Sequence, residues 1–467
     1  VKKPPTARDA AFEALARWRA AGHRRAEVIL DQVLGRAGLE PRDRRLASEL
    51  TYGVIRNLIN LDHVLSQFIK PSKKPASPEI IDILRLAVYQ VLYLDRVPAH
   101  AAVNEAVGLA KTTAGRGAGG FVNAVMRSLI RGKGAISYPD PEKSLAGYLA
   151  VKYSYPGWLA KRWVGRYGAA EAKELMEAGN SVPPLTLRAN TLKTNRDSLI
   201  EKIKAGGIEC EAARYAPDGI TINSHTPVPE IPGYREGLFA VQDEAAQLVS
   251  LLLSKKPFPL QYPPIPEGED TGWGDIRILD VAAAPGGKSA HIAAISGGLS
   301  PIASLDIGLD KLWRLKENTN RLGIRSVMPV RADISKALPV KRVFGAALLD
   351  APCSALGVIR RRPEIKYARS EDDIARISRL QALMLKNVSE TIKPGGVIVY
   401  SVCSTEPEEG EEVVDAFLAS NRDFIKDDPV SYLPPIARSL VDETGYMRTY
   451  PHRHGLDGFF AARMVRI

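Results

Sequence analysis

Residues 276–297 read IRILDVAAAPGGKSAHIAAISG. The opening IRILDVAA is a short apolar run closed by small and acidic residues, the pattern of a strand covered on both faces. KSAHIAAISG at the other end is helical in pattern. Ala282, Ala283, Ala284, Pro285, Gly286 and Gly287 form the sharp turn between them. The same alternation recurs downstream. SPIASLDI, SVMPVRAD, VFGAALLDA and GGVIVYSVC are apolar runs, separated by helical stretches such as DKLWRLKENTNRLG and ISRLQALMLKNVSETI. Strand alternating with helix predicts a mostly parallel sheet with helices on both faces, an α/β Rossmann-like domain over 246–467.

Upstream the pattern changes. Residues 1–145 read as helices joined by short breaks. ARDAAFEALARWRAAG runs to Gly22, and SPEIIDILRLAVYQVLYL opens with Ser77 as cap and Pro78 in the first helical position. Nothing there reads as a strand, so an all-α domain is predicted. Over 146–245, two helical runs (YPGWLAKRWVGRYG and AAEAKELMEAGN) lead into the strand-like PLTLRANTLKT and the helical SLIEKIKAGG. That region reads as a helical linker plus a small α+β unit. Residues 255–275 are Pro-rich and acidic and read as an exposed insertion.

The 467 residues carry a net charge of +11 and a pI near 9.4, a balance that favours polyanionic partners. No run approaches the ~20 apolar residues of a membrane span, and VKKPPTARDA lacks the apolar core of a secretory signal. Three cysteines, with no CxxC pair and no close His cluster, argue against a disulfide framework or a bound metal. A cytoplasmic, monomeric protein is expected.

In a parallel sheet, ligands bind past the carboxyl ends of the strands. Asp280, Asp306, Asp333, Asp350, Cys353 and Cys403 all fall just past predicted strand ends and are expected to share one crevice. The glycine turn fits neither a Walker A loop, because Ala282 stands where a glycine is needed, nor a GxGxxG dinucleotide loop. Gly286 and Gly287 allow close approach of a ligand to the next helix, and Asp306 ends the next strand, where an acid can hold ribose hydroxyls. A nucleoside cofactor without a pyrophosphate fits, and S-adenosyl-L-methionine is the commonest. Each acid alone could equally be a helix cap.

A thiol attacks carbon well only as thiolate, which helix N-termini and nearby cations favour. Cys403 precedes STEPEEGEEVV, an expected helix start. Cys353 precedes SALGVIRRRPEIKY, which is expected to bring Arg360, Arg361, Arg362 and Lys366 near it. A lone cysteine is usually an inert core residue, but two at adjacent strand ends favour chemistry. Cys210, in GIECEAA, is assigned to packing.

DVAAAPGGKS, LLDAPCSALGVIRRRPEIKY and YSVCSTEPEEGE resemble successive motifs of the RNA cytosine-5 methyltransferases. PLTLRANTLK, FAVQDEAAQLV and DGFFAARMVRI resemble further segments of that family. RLASELTYGVIRN, VYQVLYLDRVPAHAAVNEAV and FVNAVMRSLI resemble the NusB-like RNA-binding domain. The combination is similar to the bacterial enzymes that methylate a cytosine of small-subunit 16S rRNA. Ala282 departs from the family, which usually has cysteine there, and the 255–275 insertion is atypical. The resemblance implies Cys403 as the nucleophile adding to cytosine C6, and Cys353 as the residue assisting release. It implies Asp350 at the base N3, with Lys288 between cofactor and base. Ala282 through Lys288, with Asp306 at the ribose, Asp333 near the adenine and Asp350, would line the cofactor. Arg360 and Arg361 would contact RNA phosphate. A cytosine in a loop or single strand is the expected target, since the base must leave its stack. The same reaction on tRNA or another rRNA site, and a non-catalytic assembly factor, are the competing readings. The intact Cys353, Cys403, Asp350 and Lys288 weigh against the last.

Overall fold

A computed structural model describes residues 4–71, 73, 75–224, 226–254, 258 and 276–467. Except for Phe258, the Pro-rich 255–275 segment lies outside the described residues. The chain forms two compact units, divided otherwise than the sequence suggests. One comprises residues up to Ser181 together with Ile359–Glu371; the other comprises Val182–Val358 and Asp372–Ile467. The expected linker helices thus belong to the helical unit, and the α+β region belongs with the Rossmann-like sheet. Among the described residues no helix is long and apolar enough to cross a membrane.

The first unit is helical throughout, because its apolar residues recur at helical spacing, and several of its helices open on a side-chain cap. Thr6 starts Ala7–Ala20 with a reciprocal pair of bonds, taking the Asp9 N–H while its own N–H goes to the Asp9 carboxylate. Ser77 accepts from the Ile80 N–H ahead of Pro78–Tyr93, as expected. Ile80, Leu84, Ala87 and Val88 from that helix enter a core with Leu15, Trp18, Leu50 and Val54. The two helical runs expected after 154 are both present within Gly157–Gly179, parted at Gly168, whose φ of 78° no ordinary helical residue adopts. Ile359–Glu371 completes this unit. Its Lys366 is fully buried; the ammonium donates to the Arg56 carbonyl (2.7 Å) and Asn180 Oδ1 (3.0 Å) and sits 4.3 Å from the Tyr155 ring centre.

The second unit holds two sheets. The smaller is antiparallel, built from β1 (Leu185–Ala189), β2 (Cys210–Ala212), β3 (Gly219–Ile222) and β4 (Phe239–Val241) in the order β2-β3-β1-β4. Helix Arg196–Ala205 covers it through Leu199 and Ile203, and Cys210 is buried in that core, a packing residue as expected. The larger sheet comprises β5 (Ile278–Val281), β6 (Ile302–Asp306), β7 (Val327–Arg331), β8 (Phe344–Asp350), β9 (Ile392–Val402), β10 (Phe424–Asp427), β11 (Met447–Thr449) and β12 (Phe459–Arg466). Its order is β10-β12-β9-β8-β5-β6-β7, with β11 on β12. The five strands β5 to β9 are the runs read from sequence, and they pair in parallel. Only the β12 side is antiparallel. Side chains alternate between the two faces. Ile278, Leu348 and Val399 join one core with helix Gly287–Ile295, while Leu279, Leu349 and Tyr400 join another with helix Glu371–Ser389. Pro329 breaks no ladder because β7 is an edge.

From β5 the chain winds outward through β6 and β7, then returns to β8 on the other side of β5. The strand order therefore reverses between β5 and β8, at whose carboxyl ends a crevice is expected.

Candidate active site

Parallel strands in matched register deliver their carboxyl ends to one place. Asp350 on β8 lies opposite Ser401 on β9, so the loops leaving them, which carry Cys353 and Cys403, emerge side by side. The two sulfurs are 3.2 Å apart. A third chain segment closes over them. The Gly357 N–H donates to the Cys403 carbonyl (3.1 Å), and the Gly458 N–H, just before β12, donates to the Gly357 carbonyl (2.8 Å).

Lys288, at the start of helix Gly287–Ile295, reaches across from β5. Its ammonium lies 2.7 Å from Asp350 Oδ2, while the Ser401 hydroxyl donates to Asp350 Oδ1 at 2.9 Å. The Phe459 ring lies beneath the ammonium, 5.4 Å away. Burial alone would pull Lys288 down, but the charges of Asp350, Cys403 and Asp280 outweigh it and hold the ammonium above its ordinary range. For Cys353 the direction is also upward, first through its hydrogen bond with Cys403, then through burial and the neighbouring Glu409 and Asp350. Lys288 thus feels the charge of Cys403, and Cys353 those of Glu409 and Asp350.

Three expectations need correction here. The charged groups that act on Cys353 are the acids Glu409 and Asp350, and not the expected cluster Arg360, Arg361, Arg362 and Lys366. Arg360 is only 4% exposed, so its assignment to RNA phosphate fails on burial, whereas Arg361 is partly exposed. The helix after Cys403 starts only at Glu411, beyond a 3-10 turn at Pro407–Glu409, so Cys403 does not directly precede a helix N-terminus.

Asp280 also departs from expectation. It lies within β5, not past its end, and is fully buried, with Oδ2 taking the Ser289 hydroxyl at 2.5 Å. Among the described residues Oδ1 has no hydrogen-bond partner, and burial raises the carboxyl to about 7.

The turn from Ala282 to Lys288 is held from outside itself. The Ala283 N–H donates to the Leu305 carbonyl at the end of β6, and the Asn318 amide donates to the Pro285 carbonyl. Gly286 has φ 97°, and a Cβ there would meet Leu315 at 2.9 Å. A Cβ on Gly287 would meet only Gln242, at 3.9 Å, so the protein leaves that face of the backbone open to a ligand. Asp306 ends β6, with Oδ1 taking the Gly308 N–H at 2.9 Å. Asp333 follows β7, and hydrogen bonds from the Ser335 hydroxyl and N–H hold its carboxylate below the usual range. An open glycine backbone with carboxylates at two successive strand ends fits an adenosyl group and offers no cradle for phosphates. Among the described residues no three His, Cys, Asp or Glu side chains gather to hold a metal.

Sequence reasoning missed Ser354, Ser401, Ser404 and Glu409. All lie within the quoted motifs, but their roles depend on contacts between loops far apart in the chain.

Comparison with known proteins matches three family models to this chain. Residues 5–131 match the NusB family, 155–229 the ferredoxin-like domain of RsmF/B-like methyltransferases, and 269–465 the 16S rRNA methyltransferase RsmB/F family. A probable ribosomal RNA small subunit methyltransferase B of Bacillus subtilis is 35% identical over 99% of both chains. The ribosomal RNA small subunit methyltransferase B of Pseudomonas syringae pv. tomato is 33% identical, over 92% of this chain and 90% of its own. The crystal structure of a methyltransferase homologue from Pyrococcus horikoshii superposes with a TM-score of 0.55 at 26% identity, over 68% of this chain and 98% of that one. The methyl donor of such enzymes is S-adenosyl-L-methionine, the ligand the glycine turn fits. A NusB-like helical domain, a ferredoxin-like sheet and a Rossmann-like methyltransferase sheet, matched end to end by these relatives, show that the chain belongs to the 16S rRNA methyltransferase RsmB/F family.

Proposed function

We propose that the protein methylates C5 of a cytosine in small-subunit 16S rRNA through a covalent cysteine adduct. The contact of Cys353 with Cys403 at 3.2 Å, beside the Lys288–Asp350 pair, carries this reading. Cytosine C5 is a poor nucleophile until a thiolate adds at C6 and makes the ring enamine-like. Cys403, whose charge Lys288 feels, is the attacking sulfur. Asp350 addresses the base N3, with Lys288 and Ser401 fixing its carboxylate, and stabilises the adduct's altered charge. S-adenosyl-L-methionine, when bound along the Ala282–Lys288 turn and Asp306, Asp333 and Asp350, supplies an electrophilic methyl group. The C5 proton must then leave and the sulfur–C6 bond must break, which returns Cys403 as thiolate. Solvent takes the C5 proton, and the Cys353 thiol, in contact with the departing Cys403 sulfur, assists release by donating a hydrogen bond to it as the sulfur–C6 bond breaks. Arg361 is the remaining candidate from its cluster for a phosphate contact.

Incubation with methyl-labelled cofactor and unmodified small-subunit RNA, followed by bisulfite sequencing, tests the reading. Label is expected at 5-methylcytosine, at a position unpaired in the RNA. Label on another base, or on ribose, would sink it.

A further inference from the structure

Glu409 is fully buried, yet nothing in the reaction above uses it. Its Oε1 takes the N–H of Ser354 at 2.6 Å. Its Oε2 takes the hydroxyls of Ser354 and Ser404, each at 2.5 Å. Ser354 directly follows Cys353, and Ser404 directly follows Cys403. One carboxylate therefore ties together the two loops that carry the sulfurs. Gln381 extends the clamp, with its amide donating to the Pro352 carbonyl at 2.9 Å and lying 3.4 Å from Glu409 Oε1. The Tyr400 phenol fixes the Glu409 backbone through its carbonyl, at 2.6 Å.

A strut between two loops does not need a carboxylate. Burying one is costly, and a glutamine of the same shape could make comparable bonds with the serine hydroxyls reversed. What glutamine lacks is the charge, and the carboxylate takes two bonds from Ser354, beside Cys353, against one from Ser404, beside Cys403. A negative neighbour opposes loss of a proton from a thiol.

We infer that Glu409 is a positioning residue that holds the two cysteine loops in register and, by its charge, fixes Cys353 as the proton-bearing sulfur and leaves Cys403 to attack. The inference rests on the roles given above to Cys403 and Cys353. It explains how two thiols in contact avoid exchanging roles.

The test is alkylation of the full-length protein by iodoacetamide between pH 6 and 10, with Cys353 and Cys403 quantified separately by peptide mass spectrometry. Glu409→Gln is expected to fold and to raise Cys353 labelling at a fixed alkaline pH by about threefold or more, because its thiolate forms earlier. A folded Glu409→Gln with an unchanged Cys353 profile would overturn the inference. Should that variant not fold, Ser404→Ala keeps the charge and removes one arm of the clamp. It is expected to lower kcat for RNA methylation at least about fivefold with KM for cofactor and RNA within about twofold, and an unchanged kcat would equally overturn the inference. The alkylation arm needs neither RNA nor turnover. Failure of the cytosine-5 reading would appear instead as label on the wrong atom, with the alkylation shift intact.

Discussion

Cys403 and Cys353 touch, and the proposed mechanism gives them different roles. Cys403→Ala is expected to lower methyl transfer by at least ~10³-fold while cofactor binding, followed by calorimetry, is retained. Cys353→Ala should accumulate a protein–RNA adduct, seen as a retarded band on a denaturing gel, and absence of that band would remove its release role. Asp280 allows a prediction about stability. Its carboxyl titrates near 7 in the fold and near 4 when unfolded. A raised acid contributes stability that is complete below the unfolded value and is lost as pH rises toward the folded one. Asp280→Asn removes that dependence. Its stability relative to the unsubstituted protein should improve by roughly 3 kcal/mol between pH 4.5 and pH 8, read from urea midpoints. A difference that does not vary with pH would show that Asp280 is ionised in the fold. Cys353 and Cys403, and the acids Asp306, Asp333 and Asp350, could be placed at strand ends from sequence because those ends are marked by local composition, whereas Asp280 lies inside β5. Glu409 could not be found from sequence, since its four-acid surroundings in EPEEGE read as the start of a helix.

At the scale of elements, five parallel strands were legible because each is a short apolar run closed by a small or acidic residue. β12 carries no such ending, and its antiparallel entry beside β9 follows only from pairing across the chain. That entry matters to the site, because Gly458 at its head clasps Gly357 behind Cys353. The two backbones meet so closely that a Cβ on Gly357 would fall 2.0 Å from the Gly458 carbonyl oxygen. Gly357→Ala must push the strap away. A loss of about 3 kcal/mol in unfolding free energy is expected, with methyl transfer falling more steeply than cofactor affinity. An alanine variant as stable and active as the parent would show that the strap has room to spare.

For the molecule as a whole, charge and composition pointed to a polyanion, and the helical unit carries exposed basic residues such as Arg42 and Arg45. The double variant Arg42→Glu, Arg45→Glu should weaken RNA binding and reduce the slope of log K against log salt by about 1 to 2, without changing which nucleotide is methylated. An unchanged slope would remove this face from the RNA contact. Deleting the helical unit is a poorer test than the sequence suggests. Ile359–Glu371, from the motif after Cys353, is part of that unit, and Lys366 would lose its partners Arg56 and Asn180.

That excursion has a consequence for biogenesis. During synthesis the amino-terminal helices leave the ribosome early, but their last piece is translated only after β8 and Cys353. Neither unit can be finished before most of the other has been made. The nascent chain must therefore wait with a partly open helical layer, and slowing translation ahead of residue 371 should prolong protease sensitivity of that layer more than of the later sheet.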